Sequence, residues 1–346
     1  MNILVIRFRQ MGDAILSTPM LTSLRQSFPD ARIDFVLNER IAPLFSGHPA
    51  IDNIITFSDS ERHRARVYIK KVWQTVHDVH YDVIIDMRST FNTMLFALFS
   101  PTTHYRIGIR KPYTWLVFNH RFEGCEDNES MIDHNLKLLS PLKPEHTTRE
   151  LSLSITDKEK QEFRLYMEKQ GIDFRRPVAL IGVTAKLENK TWAEDRMTEI
   201  LKRILKTMPE MQLVFNYAPG REAENARRIY ENLGAPPQVF INIEAKSMRQ
   251  LAAMSANCTL YFGNEGGARH IVHAMGKPSL VVCSPMASKK TWLPTDTGIA
   301  AVGIAPSDVG QTEALSREEQ YSLITVERVW EELERFLSDL AIQKKQ

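Results

Sequence analysis

Short aliphatic runs alternate along the chain with longer stretches in which apolar residues recur every three or four positions. Near the N-terminus the unbroken run Ile3-Leu4-Val5-Ile6 reads as a strand buried on both faces, because a strand with one solvated face would alternate polar and apolar side chains. It is followed by Ile15, Leu16, Met20, Leu21, Leu24 and Phe28, a spacing that predicts one helix over residues 13–27. Further strands are predicted at 32–37, 53–57 and 83–86. A strand, a turn at Gly12 and a helix open a βαβ unit, which implies a mainly parallel sheet covered on both faces.

The same grammar restarts after a polar stretch. Residues 157–171 predict a helix ending at Gly171, and Phe174-Arg175-Arg176-Pro177 has the composition of a linker. Strands are predicted at 178–183, 212–217, 238–241, 259–262 and 279–283, separated by helical patterns such as 221–233 and 248–255. The fold class expected is α/β, with two Rossmann-like domains facing across a cleft and ligands at the carboxyl ends of the strands. Residues 1–160 are assigned to the first domain and 175–324 to the second. A final helix, 325–342, carries the apolar stripe Val329, Leu333, Leu337 and Leu340.

Composition narrows the classes. The 346 residues are 43% hydrophobic and 25% charged, as in a globular protein, and 44 Lys and Arg against 42 Asp and Glu give a net charge of +2. That balance speaks against a general nucleic-acid binder, so no nucleic-acid partner is expected and any anionic ligand must be met by a local cluster. Cys125, Cys258 and Cys283 lie far apart with no paired spacing, so neither a disulfide framework nor a metal centre is expected. No apolar stretch approaches the roughly 20 residues of a spanning helix, and the N-terminal run is too short for a signal peptide. The expected location is cytoplasmic.

Five stretches carry candidate chemistry. Arg9-Gln10-Met11-Gly12-Asp13 ends the first strand and places a carboxylate at a helix start, as a catalytic group or simply as an N-cap; the absence of GxGxxG speaks against a dinucleotide-binding turn and hence an NAD-dependent oxidoreductase. Thr184 to Trp192, with Lys186 and Lys190, follows the first strand of the second half, and such hydroxyls and ammonium groups suit phosphate oxygens or a solvated loop equally. Gly263-Asn264-Glu265-Gly266-Gly267-Ala268-Arg269-His270 joins a strand to a helix, whose N-terminus is a ready anion site; His270 points at that anion or sits in the core. Glu222 stands where an acid can hydrogen-bond a ribose, or merely favours the helix dipole. Finally, Arg62, Arg64, Arg66, Lys70 and Lys71 cluster, and no acid occurs between Asp86 and Glu123 while Arg88, Arg106, Arg110, Lys111 and Arg121 do. Such basic stretches attract an anionic acceptor or membrane headgroups, or form solvated faces.

Taken together, the Ile3–Arg7 run with Met11-Gly12-Asp13, the Thr184–Trp192 loop, and the Gly263–His270 turn followed by Gly276-Lys277-Pro278 resemble glycosyltransferase family 9, the ADP-heptose:lipopolysaccharide heptosyltransferases. The resemblance implies a GT-B fold and an inverting transfer that requires neither metal nor cofactor. It also implies a nucleotide-sugar donor, ADP-heptose, and an anionic glycolipid acceptor of the lipopolysaccharide core, met at the inner face of the inner membrane by peripheral contact. On the family pattern Asp13 is the catalytic base. Thr184, Lys186, Lys190, Glu222, Lys246, Glu265, Gly266, Gly267 and His270 bind donor, and Arg9, Arg62, Arg64, Arg110 and Lys111 meet the acceptor. The final helix would cross back onto the first domain. Two positions depart from the pattern: Glu265-Gly266 replaces Asp-Thr, which removes a hydroxyl and leaves backbone amides at a flexible Gly266 to substitute for it, and Lys186 stands where some members carry threonine. A non-catalytic nucleotide-sugar or glycan-binding protein, or a transferase with another nucleotide-sugar donor, are the alternatives these departures leave.

Overall fold

The first apolar run folds as expected, with residues 3–6 fully buried. In a computed structural model that describes residues 1–8, 10–286 and 288–343, the chain divides after Ser154 into two units. The first unit holds β1 (Asn2–Ile6), β2 (Arg32–Asn38), β3 (Asn53–Phe57), β4 (Val83–Asp86), β5 (Tyr105–Ile109) and β6 (His120–Phe122). They form one parallel sheet in the order β3-β2-β1-β4-β5-β6. The second unit repeats the plan with β7 (Val178–Gly182), β8 (Gln212–Asn216), β9 (Val239–Phe240), β10 (Leu260–Asn264), β11 (Ser279–Val282) and β12 (Ala301–Ile304), ordered β12-β11-β10-β7-β8-β9. In each sheet the order reverses at the centre, beside β1 and beside β7, where open α/β sheets place their ligands.

Three strands escape sequence reading. Arg106 and Gly108 interrupt β5, β12 has Gly303 inside a four-residue run, and β6 is a partly exposed edge strand of three residues; none shows a continuous apolar pattern.

The single helix expected over 13–27 is two, Met11–Ile15 and Thr18–Ser27. Pro19 stands in the first turn of the second piece, and its missing N–H could not bond the Ile15 carbonyl of a continuous helix. The freed carbonyls find side chains instead: Thr18 Oγ1 donates to Ile15 O at 2.8 Å and Asn135 Nδ2 to Leu16 O at 2.8 Å.

Two domain assignments also change. The 157–171 helix is present as Asp157–Lys169, opened by a capping box of Thr156 and Glu159. It belongs to the second unit, where Asn257 Nδ2 bonds Lys160 O at 2.9 Å and Arg164 lies 3.8 Å over the Phe174 ring. The segment 155–174 is therefore packed structure of that unit. The final helix, Val326–Gln343, also belongs to the second unit. Its predicted stripe is correct, but Val329, Trp330, Leu333 and Phe336 are buried with Ala179, Ile181, Leu213 and Leu260 on the second unit's own sheet, and Arg203 stacks 4.6 Å from the Trp330 ring. A stripe tells that a helix is covered on one side, not by which sheet.

Candidate functional site

Register brings the second unit's chemistry to one edge. Gly182 pairs with Asn216 and with Gly263, and Asn264 with Val282, so the segments after β7, β8, β10 and β11 all leave the sheet at one level. Gly263 allows this closeness. Its φ is +141°, and a Cβ there would collide with the Gly182 carbonyl, so no other residue fits. One strand position on, buried Asn264 fastens the two loops: its Oδ1 accepts from Trp192 N at 2.7 Å, and its Nδ2 donates to Gly182 O and Val183 O at 2.9 and 3.1 Å. Trp192 is fully buried and donates Nε1 to Ile324 O at 3.1 Å, so the 184–191 loop hangs between two fixed ends.

From these ends the predicted donor residues meet in pairs. Thr184 Oγ1 donates to Glu222 Oε2 at 3.0 Å, and Ala218 N to the same oxygen at 3.3 Å. Lys190 Nζ lies 2.8 Å from Glu265 Oε1, which also accepts from Ser284 Oγ at 2.9 Å, while Ser284 N reaches Glu265 Oε2 at 3.3 Å. The Glu265 carboxylate thus sits where Lys190 and Ser284 converge, just before the helix Gly267–Ala274. Lys186 takes part through its backbone, its carbonyl accepting from Arg221 Nη2 at 3.0 Å. Among the described residues no hydrogen bond or ion pair joins Lys246 to the group: its loop follows edge strand β9, and its N–H donates to Gln250 Oε1 at 2.8 Å.

The structure decides two points about the glycine turn. Gly266 has φ 166°, ordinary extended backbone open to any residue, so the freedom attributed to it is not used. His270 is buried, and burial, helped by Arg269, His273 and Lys190, holds it well below the usual histidine range. It is a neutral ring and brings no positive charge to an anion. The positive charge sits next door on buried Arg269, which burial pulls down only to about 10 and which remains protonated at neutral pH. Sequence reading also passed over Asn264 and Ser284, both nearly fully buried. A polar residue at the end of an apolar strand run was the signal available for each.

In the first unit, Ile6 pairs with Asp86, so Arg7 and Met87 emerge side by side. Arg7 donates Nη1 to Met87 O at 3.1 Å and Nη2 to Asp13 Oδ1 at 3.0 Å, and both side chains are buried. Asp13 lies inside the helix Met11–Ile15, whose N-cap is Gln10, so it is not the cap that its position suggested. Asp86 is fully buried and desolvation raises its pKa, while Arg88 N and Ser89 N donate to its Oδ1 at 2.9 and 2.8 Å. These bonds shape the turn that carries Met87, and through it the seat of Arg7.

The basic residues split. Arg62 bonds Asn38 Oδ1 at 2.9 Å and covers the Phe8 ring, Lys111 Nζ donates to Arg88 O at 2.9 Å, and Arg110 pairs with Glu123 at 2.8 Å. Arg64 is exposed between two helices, and Arg9 lies outside the described residues. Cys125, Glu129 and His134 offer ligand atoms within 4.8 Å of one another, but the Lys137 ammonium already pairs with Glu129, and Arg7 acts on His134 as a neighbouring positive charge.

Comparison with known proteins fits this geometry. The profile of Glycosyltransferase family 9 (heptosyltransferase) matches residues 69–321. Lipopolysaccharide heptosyltransferase 1 of Campylobacter coli is 22% identical over 298 residues, 82% of this chain and 83% of that one. The family 9 glycosyl transferase of Veillonella parvula superposes with a TM-score of 0.81 at 18% identity, covering 98% of this chain and 97% of its own. An Escherichia coli heptosyltransferase solved with ADP gives 0.71 at 17%, covering 97% and 100%. With two six-stranded parallel sheets, ligand-side loops at their centres and a profile spanning most of its length, the chain belongs to glycosyltransferase family 9, enzymes of the GT-B fold.

Proposed function

We propose that the protein transfers a heptose, with inversion, from ADP-heptose to an anionic sugar of a lipopolysaccharide core. The observation that carries this reading is the pairing of Thr184 with Glu222 and of Lys190 with Glu265 and Ser284 at the strand ends of the second unit. On this reading Glu222 accepts from ribose hydroxyls, while Lys190 and the first amides of the Gly267–Ala274 helix bind the diphosphate. Naming of solved relatives with ADP supports adenine as the donor base.

In the reaction the acceptor hydroxyl attacks the anomeric carbon and loses its proton to the Asp13 carboxylate, whose orientation the Arg7 guanidinium fixes. The bond from the anomeric carbon to the diphosphate oxygen breaks, and its electron pair leaves with ADP. Lys190 and the helix N-terminus stabilise that developing charge, so the departure needs no metal. The first unit's Arg62, Arg64, Arg110 and Lys111 meet the acceptor's negative charge, and the protein works at the cytoplasmic membrane face.

A thermal-shift series across nucleoside diphosphates tests the donor. Selective stabilisation by ADP supports the reading through ligand linkage, whereas stabilisation by UDP or GDP alone overturns the donor assignment. Transfer that stops on addition of a chelator, and returns with a divalent cation, overturns the metal-free step.

A further inference from the structure

We infer that one outer layer of the first unit is an interfacial surface that docks on an anionic phospholipid bilayer. The layer covers the sheet face whose core contains Leu4, Val36, Phe57 and Ile84. Three segments make it: the helix Ala65–Asp78, the short helix Leu95–Leu98, and the turn at 114–118. Each sends one set of side chains inward to that common core, Tyr68 and Val72 from the first, Phe96 and Ala97 from the second, Val117 and Phe118 from the third. The exposed residues of the same segments therefore border that core on its outer side.

What they project is not an ordinary solvated face. Ile69 and Trp73 are 44% and 49% exposed on the long helix, and Trp115 and Leu116 are 61% and 72% exposed on the turn. Of the twelve large hydrophobic side chains exposed among the described residues, seven lie between Val67 and Leu116, so the exposure is concentrated here and not scattered as on a typical surface. On a helical wheel Arg66 and Lys70 adjoin the Ile69–Trp73 pair on the side away from the buried stripe, and both are exposed.

Charge decides the occupant. Residues 62–77 and 87–122 hold ten Lys and Arg and no Asp or Glu, although the chain as a whole is nearly neutral. Exposed tryptophans set among basic residues, on a helix whose other face is already buried in its own fold, match the interfacial zone of a bilayer: indole rings at the headgroup level and cations against phosphate. Among the described residues no helix is long and apolar enough to cross a membrane, so the contact is peripheral. The inference deepens the proposed function by giving the surface on which a lipid-borne acceptor is reached, and it rests on that reading for the identity of the membrane.

The test is co-sedimentation of the full chain with vesicles of phosphatidylcholine alone and of phosphatidylcholine mixed with phosphatidylglycerol, at low and high salt. Wild type is expected to bind the anionic vesicles preferentially, and the binding to weaken with salt. The pairs Ile69→Ser with Trp73→Ser, Trp115→Ser with Leu116→Ser, and Arg66→Glu with Lys70→Glu should each reduce it by roughly tenfold or more. All six positions are exposed, and a circular dichroism spectrum and cooperative unfolding transition like those of wild type show that each variant is folded. No binding to anionic vesicles, or binding that survives all three pairs, overturns the inference. So does a concentration-dependent dimer that the same substitutions abolish, since a second copy would then be the occupant. Loss of vesicle binding with the ADP shift intact is a failure of this surface alone, whereas loss of the ADP shift in wild type is a failure of the donor reading.

Discussion

Replacing Lys190 with alanine separates what this side chain does for the fold from what it does for the donor. Its ammonium lies 2.8 Å from Glu265, with side-chain exposures of 31% and 15%. The pair is thus neither a solvated surface bridge, worth up to about 1 kcal/mol, nor a fully buried one. Glu265 also keeps both bonds from Ser284 when Lys190 is lost. A stability cost of about 1 kcal/mol follows, or roughly 2–4 °C in the unfolding midpoint for a unit of this size. Donor binding should suffer more. A hydrogen bond between a charged donor and phosphate contributes about 1.5–3 kcal/mol, which is a roughly ten- to hundredfold loss of ADP affinity. Titration calorimetry with ADP at fixed ionic strength reads this directly, and Lys190→Arg should recover most of it. An alanine variant that binds ADP within about twofold of wild type would refute Lys190 as the phosphate ligand, whatever happens to its stability.

Glu265→Gln should tighten ADP by about fivefold, because the carboxylate competes with the diphosphate for Lys190 while a glutamine amide can still bond Ser284; a weaker complex in the same titration would mean that Glu265 positions the lysine instead. Asp13→Ala should abolish transfer in a product assay yet leave ADP binding unchanged, since the proposed donor residues all belong to the second unit and Asp13 to the first; full retained turnover removes it from the mechanism. Stability should also fall as the solution is acidified. His48 accepts from Ala50 N on Nδ1 and sits 2.9 Å from Ser152 Oγ on Nε2, and burial lowers its pKa to about 4. The folded state then binds fewer protons than the unfolded state between about pH 6.5 and 4, so stability declines through that window and levels off below it. His48→Asn should flatten part of the slope of unfolding midpoint against pH, and an unchanged slope would show that other groups carry it.

Much of the fold was legible because buried parallel strands must be apolar on both faces. The runs at 3–6, 178–182 and 279–282 announce themselves, and with the helical stripes between them they give a two-sheet α/β protein. The polar cluster at the strand ends was legible for the same reason: Thr184, Lys190, Glu222 and Glu265 lie in the segments past apolar runs, where the chain must leave the sheet. The strands β5, β6 and β12 were not, since glycine, arginine or an edge position breaks their pattern. Pro19 was a local signal for the break at Leu16-Ser17, but the partner of the freed Leu16 carbonyl was not, since Asn135 lies more than a hundred positions away.

The sequence alone determined the strands with unbroken apolar runs and most of the helices between them, where loops carry polar groups, and which family pattern they follow, because each of these depends on local periodicity and on the order of residues along the chain. Tertiary structure decided the rest. It seated Glu265 on Lys190, closed the 184–192 loop through Asn264, fixed Asp13 by Arg7, neutralised His270 and sent the final helix onto the second sheet. Each of these is a question of which distant group lies within about 3 Å and how much water is excluded, and neither register nor desolvation is written in any short stretch of the chain.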